Sequence, residues 1–391
     1  MKVAIIGAGF TGLSAADILL DAGVQVDIFE KEAIPGGLAT GFKDSGWDWA
    51  LEKHYHHVFQ TDKSFIKLAS KINCPVTFSI PQTSTLFAGQ ISQLDSPLSL
   101  LKFPQIPFLD RLRTGIVLAA LKITPYYKIF ENITAQEFLI KTMGQKSWSV
   151  LWQPLFLGKF GKYADQISAV WFWARIFTRT PSLGYPEGGF QNFAQKYADY
   201  LITKGAHIHY SHSVSGPLDC DVTLSTIPTK KLPTLGAVNL VLSLKKEFFK
   251  AGTYWLNINE PSFPFLALVE HTHLVSPSHY GGDHLLYIGN YKPQDHKYFT
   301  DSPESLIKQF LPYLNKINPE FSAQDIKKSW KWVAQIAQPI VTVGYSKNIP
   351  PLKTDSSNYL ASIQQVYPWD RGVNYALQLG STVAHEILKS S

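Results

Sequence analysis

The opening βαβ pattern constrains this chain more than any other stretch. A continuous apolar run at residues 3–6 ends in Gly7-Ala8-Gly9-Phe10-Thr11-Gly12, and the following LSAADILLDAG predicts a helix stopped by Gly23. VQVDIFE then alternates as a second strand. Each glycine has a physical task at this spacing: Gly7 permits the tight turn, Gly9 lets a pyrophosphate approach the backbone, and Gly12 lets the helix pack closely on the strand. The helix N-terminus, at Phe10 and Thr11, turns its N–H groups toward the phosphates. Glu30 closes the second strand 18 positions after Gly12, where a carboxylate takes the ribose hydroxyls of an adenosine and repels a 2′-phosphate. Strand, glycine turn, helix, strand and acid in this order predict a dinucleotide-binding unit; the competing reading is a glycine-rich turn with no ligand.

The next segment, Lys31-Glu32-Ala33-Ile34-Pro35-Gly36-Gly37-Leu38-Ala39, separates FAD from NAD. A Gly-Gly pair six residues past the ribose acid allows backbone contact with a longer, extended dinucleotide. These residues resemble the glutathione-reductase-like FAD fold, and more narrowly the family of amine oxidases, protoporphyrinogen oxidases, phytoene desaturases and UDP-galactopyranose mutases. The resemblance implies FAD held non-covalently, with Lys31, Gly36, Gly37, Leu38 and Ala39 along its pyrophosphate and ribityl chain. It also implies a return to the cofactor late in the chain. There, YLASIQQVYPWDRGVNYALQLGSTVAHEIL ends in a predicted helix with Val373, Ala376, Leu377, Gly380, Val383, Ala384, Ile387 and Leu388 on one face, and Asp370 is placed to cap it. By the resemblance, the N–H groups of Gly372, Val373 and Asn374 face the flavin, and Asp370 reaches a ribityl hydroxyl or a pyrophosphate-side donor.

Between these ends the resemblance continues in order. Gly184-Tyr185-Pro186-Glu187-Gly188-Gly189-Phe190 is similar to a glycine doublet before a helix of the FAD domain. GAHIHYSHSVSGPLDCDVTLSTIP is similar to a strand carrying a backbone adenine contact, near Val214, followed by a strand reaching the flavin. The fold class that follows is α/β: a discontinuous, Rossmann-type FAD/NAD(P)-binding domain built from 1–80, 184–230 and 350–391, with a mixed α+β substrate domain built from 81–183 and 231–349. The first insert is expected to be helical, with a capping box at Thr134-Ala135-Gln136-Glu137. The second is expected to be mixed, with strands at NLVLSL, FLALVEH and LLYIGNY before a helix opened by Ser302-Pro303.

Composition excludes several classes. Apolar residues make up 45% and charged residues 17%, with 10 Trp, 18 Tyr and 24 Phe, so the chain has ample material for a packed core and is not disordered. The net charge of +6 comes from scattered Lys and Arg rather than runs, which argues against nucleic acid. Cys74 and Cys220 have no ligand-like spacing and suggest a reducing cytoplasm rather than disulfides. No apolar run approaches the ~20 residues of a membrane span, although peripheral membrane contact stays open.

Candidate chemistry concentrates at Trp47-Asp48-Trp49 and at Glu52-Lys53-His54-Tyr55-His56-His57. In an extended segment His54 and His56 face one way and Tyr55 and His57 the other. Three readings compete: flavin-side catalytic groups, for which His56 and His57 are the candidates by resemblance; a metal site of His54, His56 and Asp48 or Glu52; and structural histidines. Lys159 and the Glu270-His271-Thr272 stretch could also approach the flavin. Tyr55, Trp152, Arg175 and Arg179 are candidate substrate contacts, the two arginines lying one helical turn apart. Trp148, Trp171 and Trp173 are expected in the core. By the resemblance, the leading function is an FAD-dependent oxidoreductase that takes hydride from a small organic substrate at flavin N5 and passes electrons to oxygen, a quinone or another acceptor. A non-redox sugar mutase using Arg175 and Arg179 on a UDP pyrophosphate is the second class, and a binding protein akin to GDP-dissociation inhibitors the third.

Overall fold

The computed structural model describes residues 1–390. Five strands run parallel in the order β10 (His207–His209), β2 (Gln25–Phe29), β1 (Lys2–Ile6), β11 (Val222–Ser225) and β17 (Asn358–Leu360). Val3, Ile5, Ile28 and Leu224 are wholly buried, as a parallel sheet covered on both faces requires. Helix α1 (Phe10–Asp21) connects β1 to β2, and α9 (Gly189–Thr203) and α11 (Val373–Ser390) pack against it. Buried Asp17 ties this layer together: it accepts hydrogen bonds from Lys71 at 2.7 Å on α2 (Lys63–Lys71), from Lys204 at 2.6 Å, and from Tyr197 at 3.2 Å on α9.

The expected face of α11 is observed. Val373, Leu377, Gly380, Val383, Ala384 and Ile387 are buried, with Ala376 and Leu388 packed beside them. Gly380 sets the closeness of the crossing, because a Cβ there would stand 2.3 Å from the Thr11 carbonyl oxygen and 2.8 Å from the Ser14 Cβ. One turn earlier the Ser14 hydroxyl donates to the Leu377 carbonyl at 2.7 Å.

A second, seven-stranded sheet runs in the order β16 (Ile326–Pro339), β12 (Thr234–Leu244), β15 (His284–Lys292), β14 (Ala267–Glu270), β13 (Thr253–Ile258), β7 (Gln82–Phe87) and β8 (Gln90–Gln93). Its pairs are antiparallel except β13 with β7. Alternation divides its side chains between two cores. Leu240, Leu242, Leu286 and Ile288 pack with Leu306, Phe310 and Leu314 of α10 (Pro303–Ile317), whereas Val241, Leu285 and Tyr287 join the core of the parallel layer. Two small sheets, β3 (Gly41–Phe42) with β4 (Leu51–Glu52), and β5 (Val58–Phe59), β9 (Leu183–Pro186) and β6 (Val76–Ser79), lie outside these two larger sheets.

The remaining helices form a block: α3 (Pro97–Lys102), α4 (Phe108–Ile123), α5 (Ala135–Met143), the short α6 (Gln145–Ser147), α7 (Gln153–Phe160) and α8 (Ala169–Thr178). The expected capping box opens α5, with the Thr134 hydroxyl accepting the Glu137 N–H at 3.1 Å and Glu137 accepting the Thr134 N–H at 3.2 Å. Trp148, Trp171 and Trp173 are core residues here, as expected. One expectation is corrected: the insert taken as helical begins with the hairpin β7–β8, which extends the seven-stranded sheet. Its Gln, Ser and Thr residues carry little apolar signal, and Gln82 and Ser84 bond Thr253 across the sheet at 3.0 and 3.2 Å.

Replacing Gly380 with Val should force α1 and α11 apart and lower the unfolding free energy by about 1–3 kcal/mol or more. Thermal unfolding of the two proteins at one FAD concentration checks this, and an unchanged midpoint would refute the close crossing.

Candidate functional site

The N-terminal cradle is built from backbone. Gly7 has φ +111°, and a Cβ there would stand 2.2 Å from the Thr226 Oγ1; a Cβ on Gly12 would stand 2.1 Å from the Gly7 carbonyl oxygen. Helix α1 starts after Gly9 with no side-chain cap and no acidic residue in its first turn, which leaves its leading N–H groups for an anion. Gly36 donates to the Ala8 carbonyl at 2.9 Å, and a Cβ on Gly37 would stand 3.3 Å from the Gly9 Cα. The two glycine turns therefore form one surface. Buried Glu30 accepts the Ala8 N–H at 2.7 Å and the Glu32 N–H at 3.0 Å, and each carboxylate oxygen keeps a lone pair for a ribose hydroxyl. This donor and acceptor set fits a dinucleotide.

Other expected cofactor residues are distributed differently. The Phe10 ring packs into the core against Phe193, with centroids 5.8 Å apart, and Thr11 meets Gly380 through its backbone. Lys31 is exposed and pairs with Glu32 at 3.6 Å. Leu38 is half-buried and Ala39 buried, within the single turn Gly37–Ala39. Val214 lies in the loop beyond β10, which ends at His209, and not on the strand itself. The part of that loop that meets β2's end is Ser211 and His212, whose N–H groups donate to the Glu32 and Glu30 carbonyls at 2.9 and 2.8 Å.

Residues 54–57 form an extended link between β4 and β5. Its anchor is Glu52, which has no exposed surface. The carboxylate accepts the Tyr185 hydroxyl at 2.6 Å and the Phe190 N–H at 2.7 Å, and its carbonyl accepts the Tyr287 hydroxyl at 2.5 Å. Burial outweighs those donors and pushes the Glu52 pKa up to about 7. Downstream, His54 Nδ1 lies 2.7 Å from the Asn239 amide, and His56 Nδ1 lies 2.6 Å from the His54 carbonyl. Tyr55 and His57 are both set against Trp255. Gly289 makes room for Tyr55, since a Cβ there would stand 2.9 Å from its ring. Burial lowers His54 to about 3 and His56 to about 4. His57 falls to about 3 through burial and then Arg179 and His56, and its Nδ1 is buried without a partner. Among the described residues His54, His56, Asp48 and Glu52 assemble no metal-ligand set.

Beside His57 stands a cluster of cations. Lys159 comes from α7, Arg175 from α8, Arg179 from the residue after α8, and Arg371 from the segment leading into α11. Lys159 Nζ lies 5.0 Å from the Trp171 ring and 4.9 Å from the Tyr291 ring. The Arg175 guanidinium lies 4.8 Å from Trp171, and that of Arg371 lies 5.1 Å from Tyr291, to whose hydroxyl it also donates. Asp370 is the carboxylate among them. It pairs with Arg175 and accepts Trp171 Nε1 at 3.3 Å. Burial opposes its charge, but Arg175, Lys159, Arg371 and Arg179 hold the carboxyl well below the usual range. Burial, then Arg175, pushes Lys159 well down and Arg179 down to about 9. The arrangement can bind an anion, because three guanidinium groups face one carboxylate in a poorly hydrated setting where surplus charge is unfavourable.

One expectation changes here. Asp370 is an ion-pair partner of Arg175 rather than a helix cap; the first turn of α11 is instead closed on the Gly372 carbonyl, which accepts the Tyr375 and Ala376 N–H groups at 3.1 and 3.0 Å. Asn374 caps a different helix, its side-chain oxygen accepting the Ser64 and Phe65 N–H groups at the start of α2 at 2.9 and 3.3 Å. His271 is not brought to the cations. It is buried with Nε2 2.7 Å from the Tyr280 hydroxyl, and burial lowers it to about 3; neighbouring Glu270 accepts the Phe248 and Phe249 N–H groups at 2.9 and 2.7 Å. Trp152 stacks edge-on against Phe172, centroids 4.9 Å apart. Arg371 and Tyr291 were missed by the sequence reading, although Arg371 lies inside the WDRG segment.

Residues 10–216, over half of the chain, match the model of the family described as flavin containing amine oxidoreductase. The chain belongs to that family, and FAD is its cofactor. Zeta-carotene desaturase of Solanum lycopersicum is 26% identical over 179 residues, which make up 40% of this chain and 30% of that protein. The chain thus spans less than a third of that relative's length. Among solved structures, reduced UDP-galactopyranose mutase is 16% identical with a TM-score of 0.77, over 100% of this chain and 96% of that one. Cyclohexylamine oxidase of Brevibacterium oxydans is 15% identical with a TM-score of 0.73, over 99% and 98%. The likenesses to the solved structures show the α/β fold.

Glu52 makes a pH prediction. Its folded pKa of about 7 exceeds the ordinary carboxylate value, so the folded state holds the proton more tightly than the unfolded state. Its contribution is therefore present below about pH 4.5 and is lost as pH rises through about 7, by roughly 3 kcal/mol. Glu52→Gln should gain stability relative to the native chain across that window. Denaturant unfolding of both proteins at several pH values measures the difference, and parallel pH curves would refute it.

Proposed function

We propose that this chain oxidises a small organic substrate bearing an anionic group, with FAD seated on Gly7, Gly9, Gly12, Glu30, Gly36 and Gly37. The observation that carries this reading is the surplus of the Arg175, Arg179 and Arg371 guanidinium groups over Asp370. Bound FAD supplies the hydride acceptor at N5. The chain's own groups do the rest. Guanidinium groups of Arg175, Arg179 and Arg371 hold the substrate's carboxylate or phosphate, which suits their planar donor geometry. The N-terminus of α11 presents the Val373 and Asn374 N–H groups to developing negative charge. Lys159, pushed toward its neutral form, takes at Nζ the proton released from an N–H or O–H beside the oxidised carbon. Binding of the anion raises the Lys159 pKa and so strengthens it as an acceptor. Half-buried Tyr55 and His57 line the same side and shape the substrate's position. The two electrons pass on to oxygen or a quinone.

The same cations favour one second reading, a UDP-sugar mutase in which Arg175 and Arg179 bind the pyrophosphate. Ring-size interconversion of UDP-sugars only under dithionite, lost in Arg175→Ala, would establish that reading in place of the first.

The purified protein should show flavin absorption bands, and acidic substrates should reduce it anaerobically faster than neutral polyenes. Arg179→Gln should raise KM about tenfold with kcat little changed, the signature of lost uniform binding. Lys159→Met should lower kcat about 100-fold or more. Equal rates with neutral substrates and an unaltered KM in Arg179→Gln would overturn the anionic assignment.

A further inference from the structure

Exposed apolar side chains are concentrated in one place. Among the described residues, nine of the seventeen large apolar side chains that stand out into solvent fall within residues 98–129. On α4, Leu109, Leu112, Ile116 and Ile123 recur at helical spacing and form one outward stripe, with Leu109 72%, Ile116 70% and Ile123 80% exposed. The inward side of the same helix carries buried Thr114 and Leu121 and packs on α8 and α5. Leu98 and Leu101 on α3 and Tyr126 just past α4 extend the exposed surface.

This surface is held as a unit. The Arg111 guanidinium donates to the Ile106 carbonyl at 2.8 Å and to the Leu101 carbonyl at 2.6 Å, locking α3 to the start of α4. Prolines 104 and 107 fix the corner between them.

Charge identifies the occupant. Residues 97–130 contain Lys102, Arg111, Arg113, Lys122 and Lys128 against Asp110 alone, a net +4 of the chain's +6. Protein-binding surfaces are depleted in Lys at their centres. An apolar helical stripe flanked by Lys and Tyr is instead the composition that lies in a lipid headgroup region, with the exposed Lys102 and Lys128 reaching lipid phosphates while Arg111, Arg113 and Lys122 are held by protein acceptors. No helix among the described residues is long and apolar enough to cross a membrane, and α4 is apolar outward on one side only, so it lies along the surface.

We propose that the α3–α4 face docks on an anionic phospholipid bilayer, with α4 parallel to the membrane plane and its outward stripe in the acyl boundary. The FAD-loaded full chain should co-sediment with phosphatidylcholine vesicles containing phosphatidylglycerol, about tenfold more strongly than with pure phosphatidylcholine, and less at high salt. Leu109→Asp/Ile116→Asp should abolish sedimentation while keeping the flavin spectrum. Lys102→Glu/Lys128→Glu, at two exposed positions, should remove only the preference for phosphatidylglycerol and keeps the test decisive if the first variant does not fold. A native chain that stays in the supernatant, or variants that sediment like it, would overturn the proposal. So would a native dimer that Leu109→Asp/Ile116→Asp converts to monomer without vesicle binding by either.

Discussion

The parallel layer depends on close approaches of backbone that leave little or no room for a side chain. Gly7 lies against Thr226, Gly12 against the Gly7 carbonyl, Gly37 against Gly9, and Gly380 against the Thr11 carbonyl. Three of these contacts surround the turn that opens α1, and the fourth brings α11 onto the same helix. A methyl group at Gly12 or Gly380 would run into a backbone carbonyl and one at Gly7 into the Thr226 hydroxyl, and backbone N–H and C=O groups are what the cradle uses to receive a nucleotide. Packing and binding are here the same contacts.

A different constraint governs the interior between the two large sheets, where charge is handled by opposite means. Glu52 is relieved of its charge by burial while Tyr185 and Phe190 hold it in place. Asp370 is kept charged by the cations around it. The histidines of residues 54–57 stand between these extremes and are neutral. In a poorly hydrated region each charge is settled by its neighbours rather than by water, so the cation surplus near Lys159 is a chemical property of the site.

What could be read from the sequence was what depends on local order. The glycine turn, Glu30, the Gly36-Gly37 pair, the α11 face and the Thr134 capping box each reside in a short stretch, and the structure has each of them in the expected conformation. What could not be read depends on partners remote in sequence. Asp370 has the spacing of a helix cap, but Arg175, 195 residues away, takes its carboxylate. Asn374, in the first turn of its own helix, caps α2 from 310 residues away. Tyr291 carries no motif, and it and Arg371 become site residues only when the segment before α11 meets the end of β15. The β7–β8 hairpin was hidden because its Gln, Ser and Thr side chains pair across the sheet rather than entering an apolar core.

The bond from Ser14 to the Leu377 carbonyl joins residues 363 apart, and this separation bears on the order of assembly. The apolar side of α1 is made near the start of synthesis, yet its covering helix is made near the end of the described chain. Closing so long a loop is entropically unfavourable and slow. Until it closes, α1 needs a temporary cover, and the nascent chain is most exposed to aggregation or chaperone capture in that interval. Completion of the nucleotide layer therefore comes late in folding, and uptake of FAD reports that the two distant ends have met.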